Sequence, residues 1–314
     1  MATDIAPVHG LVAQVMEGVG VPDLVIPPGA SPHGYAMRPS EARALADADI
    51  VFWVGPALTP WLQEPIETLA SDAQTVSLAQ VEGTIQLPFR TGARFDAHAH
   101  DHDHGHGGDA DHAHAKAEEH AHDHDDGAEH TEDAHHRVPD VAFDSHLWLD
   151  PENASLWLGM IADVLAAQDP ENAPLYRGNA KTAQAGLTTL AADISARTAP
   201  LQGKPFIVFH DAYRYYEARF GVEAVASVTL SDDSAASAAR LATVREVIAE
   251  TGAQCALAEP RANTGLIDAV SESAGIRIGT VDAVGFDLPL GPGYYAALMR
   301  QITDGLTECL SPNS

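Results

Sequence analysis

Histidine is the residue type of this sequence that stands out chemically. Residues 96–136 hold 13 of the 17 histidines, together with 13 acidic residues and one lysine. Imidazole and carboxylate groups are ligands that Zn²⁺ takes in proteins. The segment shows no apolar periodicity, so we predict a mobile, disordered loop that offers many weak, rapidly exchanging metal sites. The alternative is a solvated acidic linker without a metal role. The predicted auxiliary ligands are His98, His100, His102, His104, His106, His112, His114, His120, His122 and His124.

The remaining histidines are His9, His33, His146 and His210. His210 directly follows a predicted strand, and Asp282 directly follows another. His33 lies a few residues beyond a third predicted strand, and His146 lies just before a predicted helix. In open α/β sheets, ligands bind outside the carboxyl ends of the strands. These side chains therefore occupy positions where such folds place their sites.

The predicted ligand set suits zinc. Three imidazoles and one carboxylate match its preferred donors, whereas a manganese site would contain more carboxylates. We therefore predict a zinc site formed by His33, His146, His210 and Asp282. Because the neutral ring is the ligand, zinc affinity should fall below about pH 6.5. Each histidine taken alone could instead be a hydrogen-bonded structural residue, and His9 is interpreted as a capping or packing residue.

The elements that would position these ligands alternate between short apolar runs and helix-like runs. That alternation predicts an α/β fold with mostly parallel sheets flanked by helices. The predicted strands are 24–26, 50–54, 75–78, 206–209, 224–228, 255–258 and 276–281. The main predicted helices are 39–48, 171–199, 235–251, 264–274 and 294–309.

A long helix is predicted over 171–199, because its apolar positions recur every three or four residues. These positions are Tyr176, Ala180, Ala183, Leu187, Leu190 and Ile194. At about 1.5 Å per residue, such a helix would be roughly 40 Å long and could join two lobes as a rigid spine. We predict an N-terminal lobe over 1–168, a linking helix over 169–200 and a C-terminal lobe over 201–314.

Composition narrows the class of protein. The formal net charge of −28 argues against binding to nucleic acid or to an anionic membrane surface and favours a cation or a basic protein as partner. No run of 18 apolar residues is present, so no membrane span is predicted. A structured-looking segment begins at Ile5, and we expect a mature form whose signal peptide has been removed. Cys255 and Cys309 could form one disulfide or remain two free buried thiols.

Several motifs together resemble those of one known family. They are Ser31-Pro32-His33-Gly34-Tyr35 with Arg38-Pro39-Ser40, the run 50–55, His146-Leu147-Trp148-Leu149-Asp150-Pro151 with Asn153, Phe209-His210-Asp211-Ala212-Tyr213, Glu259-Pro260, and Asp282. With the His-rich segment ahead of His146, the whole chain resembles the periplasmic zinc-binding proteins of high-affinity zinc ABC transporters, the ZnuA-like solute-binding proteins.

The resemblance implies two lobes with zinc in the cleft between them, held by His33, His146 and His210. In the family the fourth position can be a water or an acid near the first histidine, but here Pro32 precedes His33. Asp282 matches an aspartate that ligates metal in related proteins. The resemblance also implies a disulfide between Cys255 and Cys309, a periplasmic location, a monomer and an ABC permease as partner.

The resemblance implies a carrier rather than an enzyme, with Zn²⁺ as its bound ion. Two alternatives stay open at this point. One is a manganese or iron carrier of the same fold. The other is a zinc-dependent hydrolase, because three histidines with an open fourth position also resemble a catalytic zinc site.

Overall fold

The structure is a computed structural model that describes residues 1–95, 143–230, 236–260, 264–272 and 274–311. Its strands are β1 (Ala2–Thr3), β2 (Asp23–Leu24), β3 (Ile50–Trp53), β4 (Gln74–Ser77), β5 (Phe206–His210), β6 (Ala224–Thr229), β7 (Cys255–Ala258) and β8 (Arg277–Thr280). Its α-helices are α1 (Ala6–Val15), α2 (Pro39–Ala46), α3 (Gln63–Leu69), α4 (Pro151–Gln168), α5 (Ala173–Thr198), α6 (Arg214–Phe220), α7 (Ala238–Thr251), α8 (Thr264–Ser271) and α9 (Tyr294–Leu310).

The first sheet has the strand order β2-β1-β3-β4, and all its pairs are parallel. Its central strand β1 is the element that the sequence analysis missed. The buried Asp4 follows β1 and joins it to the end of β3. One of its carboxylate oxygens accepts the N–H of Ile5, and the other accepts the N–H of Val54, which directly follows β3. Burial raises the pKa of Asp4 to about 7, against the opposing effect of these backbone hydrogen bonds.

The second sheet has the strand order β6-β5-β7-β8 and is also parallel throughout. The central strands β5 and β7 are fully buried apolar runs, as expected for strands covered on both faces. All seven predicted strands are present in the structure. The predicted α/β fold with two mostly parallel sheets flanked by helices is confirmed.

The long predicted helix is present as α5, which begins at Ala173 and ends at Thr198. Its buried positions include Tyr176, Ala180, Leu187, Leu190 and Ile194, and Ala183 packs partly buried against the same core. The apolar stripe that predicted this helix is therefore the stripe that packs, mainly against α4. The predicted boundaries at 168 and 200 stay predictions.

The last helix reaches back to the first. α9 packs against β7 and β8 of the second sheet and also against α1, which belongs to the N-terminal half. At this crossing Gly10 lies so close to Tyr294 that a Cβ added to the glycine would meet the tyrosine Cβ at 2.8 Å. The absence of a side chain at Gly10 therefore allows the two helices to approach.

The disulfide implied by the family resemblance is confirmed. Cys255 of β7 and Cys309 of α9 are bonded, with 5.7 Å between their Cα atoms and a sequence separation of 54 residues. The bond attaches the C-terminal helix to a buried strand of the second sheet. Among the described residues, no helix is both long and apolar enough to cross a membrane.

Replacing both cysteines, in Cys255→Ser/Cys309→Ser, should lower the free energy of unfolding by about 4 kcal/mol, because the unfolded chain regains the entropy of an open loop. Urea unfolding of the oxidised protein and of the variant measures the difference. Reduced wild type should lose the same amount. A loss below about 1 kcal/mol would show that helix packing alone holds α9 in place.

Candidate metal centre

Three of the predicted ligands meet in one place. The ring centroids lie 5.4 Å apart for His33 and His146, 5.6 Å for His33 and His210, and 5.0 Å for His146 and His210. One ring nitrogen from each histidine lies within 4.8 Å of the other two. His146 and His210 are buried and His33 is half-buried. Among the described residues, this is the one group of three or more potential ligands that could hold a metal ion.

His33 lies in the loop between β2 and α2. Its backbone N–H donates to Ser31 Oγ at 3.2 Å. The preceding residue is held as well, because Trp61 Nε1 donates to the carbonyl of Pro32 at 2.9 Å. Farther along the loop, the Tyr35 hydroxyl donates to Glu41, a residue of α2. These contacts attach a proline-rich loop to α2 and to the 3₁₀ turn Pro60–Leu62, which precedes α3, and thereby fix the backbone of His33.

His146 is oriented by the buried carboxylate of Asp144. Asp144 Oδ1 accepts the backbone N–H of His146 at 2.8 Å and lies 2.9 Å from its Nδ1. Burial alone would raise the pKa of Asp144, but the His146 ring and its hydrogen bonds hold that pKa below its usual value. A proton on Nδ1 facing the carboxylate leaves the lone pair on Nε2, the arrangement usual for metal-bound histidines.

The residues after His146 contact both halves of the protein. Trp148 Nε1 donates to the carbonyl of Ala283 at 2.8 Å, and the Tyr295 hydroxyl donates to the carbonyl of Trp148 at 2.7 Å. Asp150 caps α4 and also receives two hydrogen bonds from Arg219 of α6, each 2.8 Å long. Because these partners lie in the C-terminal half, the residues that follow His146 are connected to that half as well as to α4.

His210 is the last residue of β5, so its ring lies at the carboxyl edge of the second sheet. Its Nδ1 lies 3.4 Å from Glu259 Oε1, within ion-pair distance. The Tyr213 hydroxyl donates to the same oxygen at 3.1 Å. Burial raises the pKa of Tyr213 well above its ordinary value, and the charges of Glu259 and Asp282 add to that shift. Tyr213 therefore stays protonated and acts as a donor to the carboxylate near His210.

Asp282, the fourth predicted ligand, does not belong to the three-residue group. It follows β8 and is buried, and its carboxylate accepts the backbone N–H groups of Val284, Gly285 and Phe286 at 2.6–2.9 Å. Burial raises the pKa of Asp282, while these hydrogen bonds oppose the shift. Oδ2 accepts only one of the three N–H groups, which leaves it a lone pair. Ligation by Asp282 stays a prediction.

The other histidines divide into two groups. His9 is buried in α1, where its Nε2 lies 3.1 Å from the carbonyl of Pro22, and burial lowers the pKa of the ring. This agrees with the interpretation of His9 as a packing residue. The ten predicted auxiliary ligands between His98 and His124 lie outside the described residues.

Sequence reasoning missed the carboxylates behind the ligands. Asp144 precedes His146 by two residues, which is close enough for a side chain to reach both the backbone and the ring of the histidine. That spacing was a usable signal. Glu259 is far from His210 in sequence, and only the pairing of β7 with β5 brings the end of its strand alongside.

Comparisons with known proteins show the family of the chain and agree with its fold. The family described as "Zinc-uptake complex component A periplasmic" (ZnuA) matches residues 1–309. The High-affinity zinc uptake system protein ZnuA of Brucella suis is 41 % identical over 311 residues, covering 99 % of this chain and 91 % of that protein. The protein of the same name from Paracoccus denitrificans is 43 % identical over 311 residues, with the same shares covered. A crystal structure of ZnuA has a TM-score of 0.75 at 17 % identity, covers 99 % of this chain and 98 % of that one, and is similar in fold.

Replacing Asp144, in Asp144→Ala, should weaken zinc binding about 10- to 100-fold, because the ring of His146 loses the carboxylate that fixes its orientation and its proton. Competition with a chelator of known affinity measures the change. Asp163→Ala is the matched control, since Asp163 pairs with Arg177 on the surface at 73 % side-chain exposure. Equal affinities for the two variants would contradict a role of Asp144 in orienting His146.

Proposed function

The chain belongs to the ZnuA family of periplasmic zinc-uptake components, and on that premise we propose that His33, His146 and His210 capture Zn²⁺ for delivery to a membrane permease. The observation that supports this most directly is the convergence of the three rings. His146 precedes α4, and His210 ends a strand of the second sheet. The metal would therefore bridge elements from the two halves of the chain.

The donor set favours zinc over the harder ions. Imidazole is a borderline-soft ligand that suits Zn²⁺, whereas Mn²⁺ and Mg²⁺ prefer oxygen donors. Two of the three rings have a carboxylate at Nδ1, Asp144 for His146 and Glu259 for His210. Such partners raise the basicity of the coordinating nitrogen and fix its direction. A manganese carrier of this fold would make poor use of three nitrogen donors.

We propose Asp282 for the fourth position. Asp282 is buried and follows β8. The next residue in its loop, Ala283, accepts a hydrogen bond from Trp148 Nε1, and Trp148 lies only two residues after His146 in sequence. The three backbone N–H groups on its oxygens would hold the carboxylate in place, as hydrogen bonds to ligating carboxylates commonly do. Zn²⁺ carries two positive charges, so a neutral centre needs two negative charges nearby. One carboxylate supplies one of them.

A carrier explains the surroundings of the site better than a hydrolase does. A hydrolase requires a carboxylate or histidine placed to take a proton from water. The acids described near the rings have other roles: Asp144 contacts His146, Glu259 contacts His210 and Tyr213, and Asp282 is the proposed fourth ligand. Their contacts hold ligands in position, which is the requirement of tight and reversible binding.

Location and partner follow from the family and agree with the chain. The family is described as a periplasmic component of a zinc-uptake complex, and its relatives are named as proteins of high-affinity zinc uptake systems. The Cys255–Cys309 disulfide suits an oxidising compartment. We propose a carrier outside the cytoplasm that passes its ion to the permease, with the His-rich residues 96–136 as an auxiliary source of weakly held zinc.

Titration of a variant that lacks residues 96–136 should give one tightly bound zinc per chain, since the three-histidine cluster lies entirely outside that segment. The full chain should bind the same tight ion and several weaker ones. Calorimetry or competition with a coloured chelator measures both. Adding His210→Ala to the shortened chain should abolish the tight ion, and His9→Gln, which changes a histidine away from the cluster, should keep it. Retention of the tight ion by the His210→Ala chain would exclude the proposed site.

Replacing Asp282, in Asp282→Ala, should weaken zinc binding at least tenfold if the carboxylate is a ligand, because a metal-bound oxygen and its charge are lost. A water in the fourth position predicts a change within about threefold. Gly285→Ala is the matched control: it strains the same loop, since Gly285 has a φ of 76°, but it keeps the carboxyl group of Asp282 as a possible ligand. Equal losses in both variants would assign the effect to loop geometry.

A further inference from the structure

A segment outside the regular elements connects the two sheets. Residues 85–95, called the strap below, leave the N-terminal half, cross to the second sheet and end where the His-rich segment begins. At their start, Asn153 near the beginning of α4 donates to the carbonyl of Ile85 at 3.0 Å and accepts its N–H at 2.7 Å. Asn153 lies in the helix that follows His146, so the strap begins beside one of the proposed ligands.

The middle of the strap is tied to both the N-terminal half and α6. The carbonyl of Leu87 accepts the N–H of Asp144 at 2.8 Å. The Tyr215 hydroxyl accepts the N–H of Leu87 and donates to the carbonyl of Asp144, each at 2.9 Å. The strap therefore shares partners with the residue that orients His146.

The end of the strap extends the second sheet. Arg94 forms an antiparallel bridge with Ala226 of the edge strand β6. Phe95 donates its N–H to the carbonyl of Val225 at 2.9 Å, and Ser227 donates to the carbonyl of Ala93 at 3.2 Å. An edge strand of the C-terminal half is thus covered by residues that precede position 96.

Arg90, at the centre of the strap, forms ion pairs with two buried carboxylates of the second half. Its Nε lies 3.0 and 3.1 Å from the two oxygens of Asp211, its Nη2 donates to Asp211, and its Nη1 donates to Glu217 Oε2 at 2.9 Å. Both carboxylates are almost completely buried, with side-chain exposures of 0 % and 3 %. The guanidinium also lies 3.8 Å above the ring of Phe95.

Asp211 directly follows His210, so the ion pair between Arg90 and Asp211 lies next to a proposed ligand. We infer that Arg90 is a positioning residue, which holds His210 at its distance from His33 and His146 and thereby sets the residence time of the bound zinc. The inference rests on the proposed function of the cluster. A fork of guanidinium N–H groups on a carboxylate fixes orientation as well as distance.

The proposed role of Arg90 lies in the release of the ion. Zinc leaves when one ring moves away, and the backbone of His210 can move only if Asp211 moves with it. Asp211 is tied through Arg90 to a strap whose other contacts include Asn153 and Asp144, on either side of His146 in sequence. The strap thus joins two of the three ligands by a second connection, independent of the ion.

The test measures the rate at which zinc passes from the full-length protein to excess chelator. Arg90→Gln should speed this dissociation at least tenfold. Arg90→Lys, which keeps the charge and loses the fork, should give an intermediate rate. Arg94→Gln is the matched control, because Arg94 lies on the same strap and pairs with the exposed Glu250. Its rate should stay within twofold of wild type.

A second variant separates positioning from stability, because two buried carboxylates without Arg90 could unfold the chain. Arg90→Met/Asp211→Asn/Glu217→Gln removes all three charges together and should regain most of the stability of the metal-free protein while still releasing zinc faster. Wild-type rates in this variant, or equal acceleration in Arg94→Gln, would overturn the inference. Failure of wild type itself to retain zinc would instead contradict the proposed function.

Discussion

The structure depends on one constraint: the centroids of three imidazole rings lie 5.0–5.6 Å from each other in a largely buried place. Burying polar nitrogens is unfavourable unless their hydrogen-bonding capacity is satisfied. The protein satisfies the outer nitrogens of two rings with carboxylates, Asp144 and Glu259, and these in turn are fixed by neighbours. The hydrogen-bond network around the site can be understood as the set of contacts that keeps the three rings facing one another.

The same requirement explains why so many contacts cross between the two halves. Besides α5, the crossing contacts include the strap, the packing of α9 on α1, and the hydrogen bond from Trp148 to the carbonyl of Ala283. Arg219 adds a bidentate pair with Asp150. Rings on separate elements keep a fixed spacing only if those elements cannot drift, and several connections at different points achieve this better than a single helix.

The sequence was sufficient to predict those elements whose apolar residues recur at a regular interval or whose ends are marked by Pro, Gly or Asp. Apolar runs bounded by Pro, Gly or Asp predicted seven strands, and the spacing from Tyr176 to Ile194 predicted α5. It was insufficient for β1, which is only two residues long and has no alternation or run to detect. The strap was missed for another reason: its residues bind through backbone groups and a single arginine, and neither leaves a periodic pattern.

The clustering of the three histidines was predictable from the sequence, whereas the carboxylates that contact their rings were less so. Strand ends and the family motifs pointed to His33, His146 and His210, because a parallel sheet gathers its carboxyl ends along one edge. The carboxylates that orient them depend on which strands become neighbours, as with Glu259 after β7. The fixed carboxylate of Asp282 depends on a loop in which Gly285 takes a positive φ, which composition alone does not specify.

The contact between the first and last helices has a consequence for the order in which the molecule is made. Gln14 Nε2 donates to the carbonyl of Pro292 across a separation of 278 residues. Contacts between such distant parts of a chain form late, because the entropy of closing the intervening loop must be lost first. The three histidines likewise lie on separate elements, so their cluster is complete only once those elements have come together. We therefore expect the cluster to form with the tertiary fold, late in folding, rather than within an early local fragment.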